Sequence, residues 1–448
     1  MPEFPYLPQT EVEIEEMLRA IGVKSIAELF TDIPEKFDVD LSIPASADEF
    51  TVLRDLKELS LRNTNLNDLS VFRGGGIYKH FIPSAVQRIA GRGEFLTAYT
   101  PYQAEISQGT LQMLFEYQTM ISELTGMEVS NSSMYDGASA CAEAALMSVR
   151  INGKTKILIS QAVHPEYIDT VKTYCFGGNI QVDEVNFDRK SGQIDLSDLK
   201  SKLSDDVSAV IVGYPNFFGV IEDLREVRKA IPENVMMIVS ANPTALAILR
   251  APGKLGADIV VGEGQPLGNP PYLGGPGFGF FASKEAYIRK MPGRIIGETK
   301  DGEGRTGYVM VLQTREQHIR RNKATSNICS NQAFNVLLAS IYMSLVGPKG
   351  LQEIARRSYD KAHYLAKRIE KMDKVRPVFT GPFFSEFVVE FKKDLSSLNS
   401  KLLKDKILGP LDLGEFRDDM KNHGLICLTE ANRNEEIEFF AGRLEELE

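Results

Sequence analysis

Two stretches of the chain combine glycine with groups that could grip an anion. Gly262-Glu263-Gly264-Gln265-Pro266-Leu267-Gly268 follows an apolar run and nearly matches the GxGxxG of dinucleotide loops. Its third glycine falls one residue late, and Pro270 and Pro271 forbid the helix whose N-terminus should hold a pyrophosphate. Tyr135-Asp136-Gly137-Ala138-Ser139 opens the helical run Ala140–Arg150. Small residues at such a start leave backbone N–H groups free for an anion. The commoner use of this pattern is a plain helix cap by Asp136 or Ser139. No GxxxxGK[ST] segment exists, which excludes a P-loop. Cys141, Cys175, Cys329 and Cys427 form no CxxC pair, and the five histidines are scattered, so no metal site is expected. Arg315, Arg320, Arg321 and Lys323 form a basic cluster suited to phosphate or an acidic docking partner, or else a solvated face pairing with Glu316.

The elements that must position these groups follow from periodicity. Val12, Ile14, Met17, Leu18 and Ile21 share one helical face, and residues 10–70 read as helical up to the breaker Arg73–Gly76. Leu114, Tyr117, Ile121 and Leu124 mark a helix over Ser107–Thr125, stopped by Gly126. Strands are expected at Lys156–Ser160, Ile180–Phe187, Ala209–Gly213, Val235–Ser240, Asp258–Gly262 and Gly277–Ala282. Helices Pro165–Phe176, Leu196–Leu203 and Glu222–Ile231 alternate with them, which predicts a mostly parallel sheet covered on both faces. The last two strands are joined by Gly and Pro without room for a crossover helix, so they should pair antiparallel. Beyond Gly347 come a long helix Leu351–Met372, strands Val375–Phe379, Glu386–Phe391 and Leu425–Thr429, and helices near Leu398–Leu408 and from Glu435. The expected domains are a helical arm over 1–75, a large α/β domain over 76–346 and a small α+β domain over 347–448.

The 448 residues carry 51 Lys+Arg against 61 Asp+Glu, a net charge of −10 that repels nucleic acid and anionic lipid. Val235–Val239 is the purest apolar run, far short of the ~18 residues a bilayer demands. Met1–Leu18 has no apolar leader core, and a cytoplasmic protein with reduced thiols is expected.

The order of these features resembles the large pyridoxal-phosphate (PLP) fold of the aspartate-aminotransferase type. There a cup at a helix start holds the phosphate, and a His or aromatic residue after the first strand stacks on the ring. An Asp then pairs with the pyridinium, and a Lys forms the imine. Here Gly137 and Ser139 would be the cup, His164 the stacking group and Asn242 the residue at the Asp position. Ser240-Ala241-Asn242 offers no carboxylate, and Glu263-Gly264-Gln265 offers no lysine. Lys284 lies past the return strand, ~20 Å from the loop end of the preceding one at ~3.3 Å per residue. Lys254 precedes that strand and meets the same obstacle.

Ala98–Leu111 (AYTPYQAEISQGTL), Val261–Phe281 (VGEGQPLGNPPYLGGPGFGFF), Arg315–Gln332 (REQHIRRNKATSNICSNQ) and Phe72–Pro83 (FRGGGIYKHFIP) settle the likeness. They resemble the P-protein family of the glycine cleavage system, in its first-subunit form where the enzyme is split into two chains. The resemblance implies PLP-dependent decarboxylation of glycine and transfer of the aminomethyl group to the lipoyl arm of the H-protein. It implies that the cofactor is bound covalently by the partner chain, glycine dehydrogenase subunit 2, on a Lys in a His-Lys-Thr segment. Aligning the shared GGPG, here Gly274–Gly277, puts Gln265 at that Lys. Active sites of this fold lie at a dimer interface. Tyr99, Thr100, Tyr102, Gln103 and Glu105 are therefore expected to wall the partner's glycine and lipoyl pocket. Thr325, Ser326 and Asn327 are expected to bond the cofactor phosphate. The competing expectations are a self-sufficient PLP decarboxylase or desulfurase using another lysine such as Lys284, and a scaffold that contributes no active-site group.

Overall fold

A computed structural model describes residues 6, 9–33, 44–96, 98–272 and 277–447. Gly274, Gly275 and Pro276 of the GGPG alignment lie outside the described residues, as do residues 34–43 of the helical arm. The chain forms two units, residues 1–64 and 65–448. Residues 65–75, counted above with the arm, therefore belong to the second unit.

In the first unit, Thr10 and Glu13 form a reciprocal capping box that starts the helix Glu11–Ile21, and Gly22 ends it in the left-handed region. Asp48 caps the helix Glu49–Ser60. Neither helix buries a residue, and Ile21, Phe50, Leu53, Leu56 and Leu59 stay exposed.

The second unit is built on a seven-stranded sheet of β1 (Val129–Ser130), β2 (Lys156–Ser160), β3 (Gln181–Val185), β4 (Val207–Tyr214), β5 (Met236–Ala241), β6 (Ile259–Glu263) and β7 (Gly279–Ser283). The spatial order is β1-β7-β6-β5-β4-β2-β3. Strands β2 to β6 run parallel, and β7 pairs antiparallel with both β6 and β1. The antiparallel return expected from the short Gly/Pro connection is present. All eight residues of β4 are buried, as a strand covered on both faces requires. Val210, Val212, Met237, Val239 and Val260 face the helices Gln108–Thr125 and Ala333–Ile369. Ala209, Ile211, Ile238, Ile259 and Val261 face Gly137–Asn152 and Pro165–Phe176.

The long helix Ala333–Ile369 begins well before the expected Leu351 and is broken at Gly347, whose φ is 61° beside Pro348. By length and composition it could cross a membrane, but Val336, Leu337, Leu338, Ala339 and Tyr342 are buried in the sheet core. An antiparallel hairpin of Ile295–Lys300 and Thr306–Val311 was not anticipated. The C-terminal lobe holds a four-stranded antiparallel sheet ordered Val375–Pro377, Glu386–Phe391, His423–Cys427, Leu411–Asp412. Ser70–Val71 pair parallel with Ile407–Leu408 of this lobe, and the Phe72 ring stacks on Phe440 at 4.0 Å. The chain thus enters the second unit through its C-terminal lobe.

Candidate functional site

The C-terminal ends of the parallel strands, the usual ligand position in such sheets, gather Asn242, Glu263, Gln265, His164 and the start of the helix Gly137–Asn152. Each already has an internal partner. Asp136 Oδ1 accepts the Ser139 N–H at 2.7 Å, and Ser139 Oγ accepts the Asp136 N–H at 3.2 Å. Ser139 is therefore half of a capping box, the plainer of its two sequence readings. The Gly137 N–H of the cup points at Glu263 Oε2, 3.0 Å away. The other oxygen of Glu263 accepts the N–H groups of Gln265 and Phe278, both at 3.0 Å. A carboxylate, satisfied by three backbone donors, thus fills the cup that the resemblance assigns to the phosphate. Burial raises its carboxyl to about 7 against the pull of those three hydrogen bonds. A side chain at 137 would collide with the Tyr167 hydroxyl, which explains the glycine and closes the cup from outside.

Gln265 is 5% exposed. Its Oε1 accepts the Tyr78 N–H at 2.9 Å, and its Nε2 donates to the carbonyls of Tyr78 at 3.0 Å and Asn269 at 2.7 Å. This amide, at the position where the resemblance expects a lysine, clamps a backbone. Asn242 Oδ1 accepts the N–H groups of Thr244 at 2.9 Å and Ala245 at 3.3 Å, capping the turn after β5. Lys284 forms an ion pair with Asp258, just before β6 and at the far end of that strand from Gln265. The distance argument against it is met in the fold.

The ring of His164 packs on neighbouring protein. Its Nε2 donates to the Gly75 carbonyl at 2.9 Å, and its Nδ1 accepts the Glu166 N–H at 3.2 Å. Using one nitrogen as donor and the other as acceptor requires the neutral imidazole, and burial pushes its pKa down in the same sense. The segment facing it, Arg73–His80, is held from both lobes. Glu386 accepts the Gly75 N–H and the Tyr78 hydroxyl, each at 2.7 Å, and burial lifts its carboxyl to about 7. Arg73 donates to the carbonyls of Gly409 and Pro410 at 3.1 and 3.0 Å. His80 meets Glu430 at 2.6 Å. Gly75 and Gly76 take φ of 75° and 111°, and a Cβ on Gly74 would collide with the Glu386 carboxylate. That is why a glycine run stands here. About 70 Å³ of cavity remains between Gly75, His164, Asn242, Glu263 and Glu386. Pockets that bury a cofactor-sized ligand measure about 300–1,000 Å³. The residues present therefore do not fit PLP. The carboxylates Glu263 and Glu386 carried no signal in sequence, since their bonding partners lie up to 311 residues away.

The second set of expected residues lies on the surface. Tyr99 is 86% exposed, and its hydroxyl reaches Ser330 Oγ at 3.2 Å. Tyr102 meets the His318 ring edge-on at 5.3 Å, beneath the Arg294 guanidinium at 5.8 Å. Gln103 and Glu105 are exposed, and Thr100 is half-buried. The segments 99–105 and 318–330 thus meet at Tyr99–Ser330 and Tyr102–His318, and Ile106 and Ile319 are exposed. Thr325, Ser326 and Asn327 line a depression of about 490 Å³ with Gln317, Arg321 and the Glu143–Arg150 pair. The Thr325 N–H donates to the Arg315 carbonyl at 2.8 Å. Arg320, Arg321 and Lys323 are exposed, but Arg315 departs from the docking expectation. It is 7% exposed, with its guanidinium on the carbonyls of Met291 and Gly293. The cluster is spread over three short elements, Gln313–Arg315, Gln317–Arg320 and Arg321–Lys323, and a run of charges does not reveal which member turns inward.

Known proteins match this chain over nearly its whole length. The sequence pattern of the family described as glycine cleavage system P-protein fits residues 5–442. A probable glycine dehydrogenase (decarboxylating) subunit 1 from Thermotoga maritima is 51% identical over 435 residues, covering 97% of this chain and 98% of that one. The crystal structure of a glycine decarboxylase (P-protein) of the glycine cleavage system, in inhibitor-bound form, superposes with a TM-score of 0.91 at 40% identity. It covers 99% of this chain and 100% of that one. A sphingosine-1-phosphate lyase of Burkholderia pseudomallei shares the fold alone, with a TM-score of 0.69 at 12% identity over 92% and 93% of the two chains.

Proposed function

This chain belongs to the glycine cleavage system P-protein family, in its subunit 1 form, and from that premise we propose that it completes an active site whose cofactor is carried by a second chain. The observation that carries this reading is Gln265. The position at which the resemblance expects a primary amine holds a buried amide whose three hydrogen bonds all go to backbone. PLP supplies the electron sink for decarboxylation, and in this reading it is bound by glycine dehydrogenase subunit 2.

The chain's own contribution is the surface formed by residues 99–105 and 325–327. Tyr99, Tyr102 and Glu105 wall the glycine and lipoyl pocket across the interface and exclude water from it. The hydroxyls of Thr325 and Ser326 and the amide of Asn327 bond the partner's cofactor phosphate. Arg320, Arg321 and Lys323 offer a basic surface to the acidic H-protein that receives the aminomethyl group. A cytoplasmic location fits four free thiols.

The test is glycine decarboxylation by the reconstituted two-chain complex carrying Glu105→Gln or Thr325→Ala. At least one variant should lose about tenfold or more in kcat/KM, the order expected when an oriented polar contact near the reacting centre is removed, while the complex stays assembled. Normal turnover with both changes would leave the chain as a scaffold.

A further inference from the structure

Loss of the lysine is not by itself what empties this pocket. Restoring an amine at 265 would still leave Gly75–Gly76 backbone against the His164 ring, with a Gly76 Cβ position only 3.3 Å from Nε2. It would also leave the Glu263 carboxylate on the Gly137 N–H. Three substitutes thus occupy the three parts of a cofactor's footprint: peptide for the ring, carboxylate for the phosphate and amide for the imine. The peptide is bonded on the sheet side by Gln265 and His164 and on the C-terminal side by Glu386, Glu430 and the Gly409 carbonyl, which accepts from its own Arg73. We propose that Arg73–His80 is a built-in plug that turns the former cofactor pocket into a clasp between the sheet and the C-terminal lobe. On this account the pocket excludes PLP by occupancy, whether or not a lysine is present.

The clasp explains features that a merely decayed site would not need. A decayed pocket would be free to fill with water or to collapse on apolar side chains. This one keeps two buried carboxylates, each satisfied by specific donors, and three consecutive glycines that let the backbone pass. Buried polar groups of this kind are costly unless the geometry is maintained.

The experiment uses the full-length chain as wild type, Gln265→Lys and Gln265→Lys with Glu263→Gly. Each is incubated with PLP, reduced with borohydride and digested, and position 265 is examined by mass spectrometry. The expected result is no pyridoxyl group on the introduced amine in either variant above the level found on exposed lysines of the wild type. In parallel, hydrogen exchange of the peptide spanning 73–80 in the wild type should be the same with and without PLP. Stoichiometric labelling at position 265 in either variant would overturn the proposal. So would PLP-accelerated exchange of residues 73–80, because it would show the plug leaving for the cofactor. The wild-type exchange measurement decides alone where a variant does not fold.

Discussion

Truncating Gln265 to Ala should loosen the segment it clamps by an amount that follows from its bonds. The change removes the bond accepted from the Tyr78 N–H and the two donated to the Tyr78 and Asn269 carbonyls. At about 0.5–1.5 kcal/mol net for each bond, the loss is about 3 kcal/mol, with a range of about 1.5–4.5. Expressed as local opening, about 3 kcal/mol speeds exchange of the Tyr78 amide by about a hundredfold. Hydrogen exchange read on the peptide covering residues 74–81 measures this directly. Gln265→Met, which keeps the volume and discards the bonds, should behave nearly as Gln265→Ala. If Gln265→Ala changes exchange of that peptide by less than about threefold, the amide is not holding the backbone and the account of the site fails. Rescue by Met alone would show that packing, not hydrogen bonding, does the holding.

Other outcomes follow from the same geometry. Burial pushes the carboxyls of Glu222, Glu263 and Glu386 each up to about 7, so the native state binds more protons than the unfolded chain between about 4.5 and 7. Stability should therefore fall as pH rises across that window, by up to about 3 kcal/mol per group; melting temperatures at about pH 5.5 and about pH 8.5 check it, and Glu386→Gln should shrink the difference. Phe72→Ala empties a fully buried ring stacked on Phe440 and should cost about 3–5 kcal/mol, seen as a lowered Tm. Arg315→Ala should destabilise the fold by about 2 kcal/mol or more, because it removes two bonds made by a charged group. Arg320→Ala, on an exposed residue, should stay within about 0.5 kcal/mol. Lys284→Met should leave turnover of the reconstituted complex within about twofold, since its ammonium is engaged with Asp258 at the far end of β6 from Gln265, and such half-exposed pairs contribute little. A large loss would restore Lys284 as a candidate cofactor lysine.

The sheet was legible because its strands are continuous apolar runs separated by amphipathic helices, and a strand buried on both faces has no other way to be written. The antiparallel β7 was legible for a different reason: a Gly/Pro connection cannot contain a crossover helix. The first half of Ala333–Ile369 was missed because Gly347-Pro348 reads as a boundary, whereas the fold absorbs it as a kink. The hairpin Ile295–Val311 was missed because its outer end is polar and exposed, which removes the alternation that marks a half-buried strand. In the site, the missing amine could be read directly from Glu263-Gly264-Gln265. The fate of the vacated space could not. It depends on contacts between residues 73–80 and residues near 265, 386 and 430, and periodicity carries no information at that separation. Arg73–Gly76 reads as a helix breaker and as part of the Phe72–Pro83 likeness, but nothing local marks its glycines as the residues that let a backbone lie against His164.

The most direct test of the central claim is release of labelled CO2 from carboxyl-labelled glycine by three samples: this chain with PLP, the second subunit with PLP, and the two together, each supplied with lipoylated H-protein. The account predicts full turnover only from the mixture, with borohydride fixing the coenzyme to the second subunit. Sustained CO2 release by this chain alone, or coenzyme fixed to it at one equivalent, would contradict it.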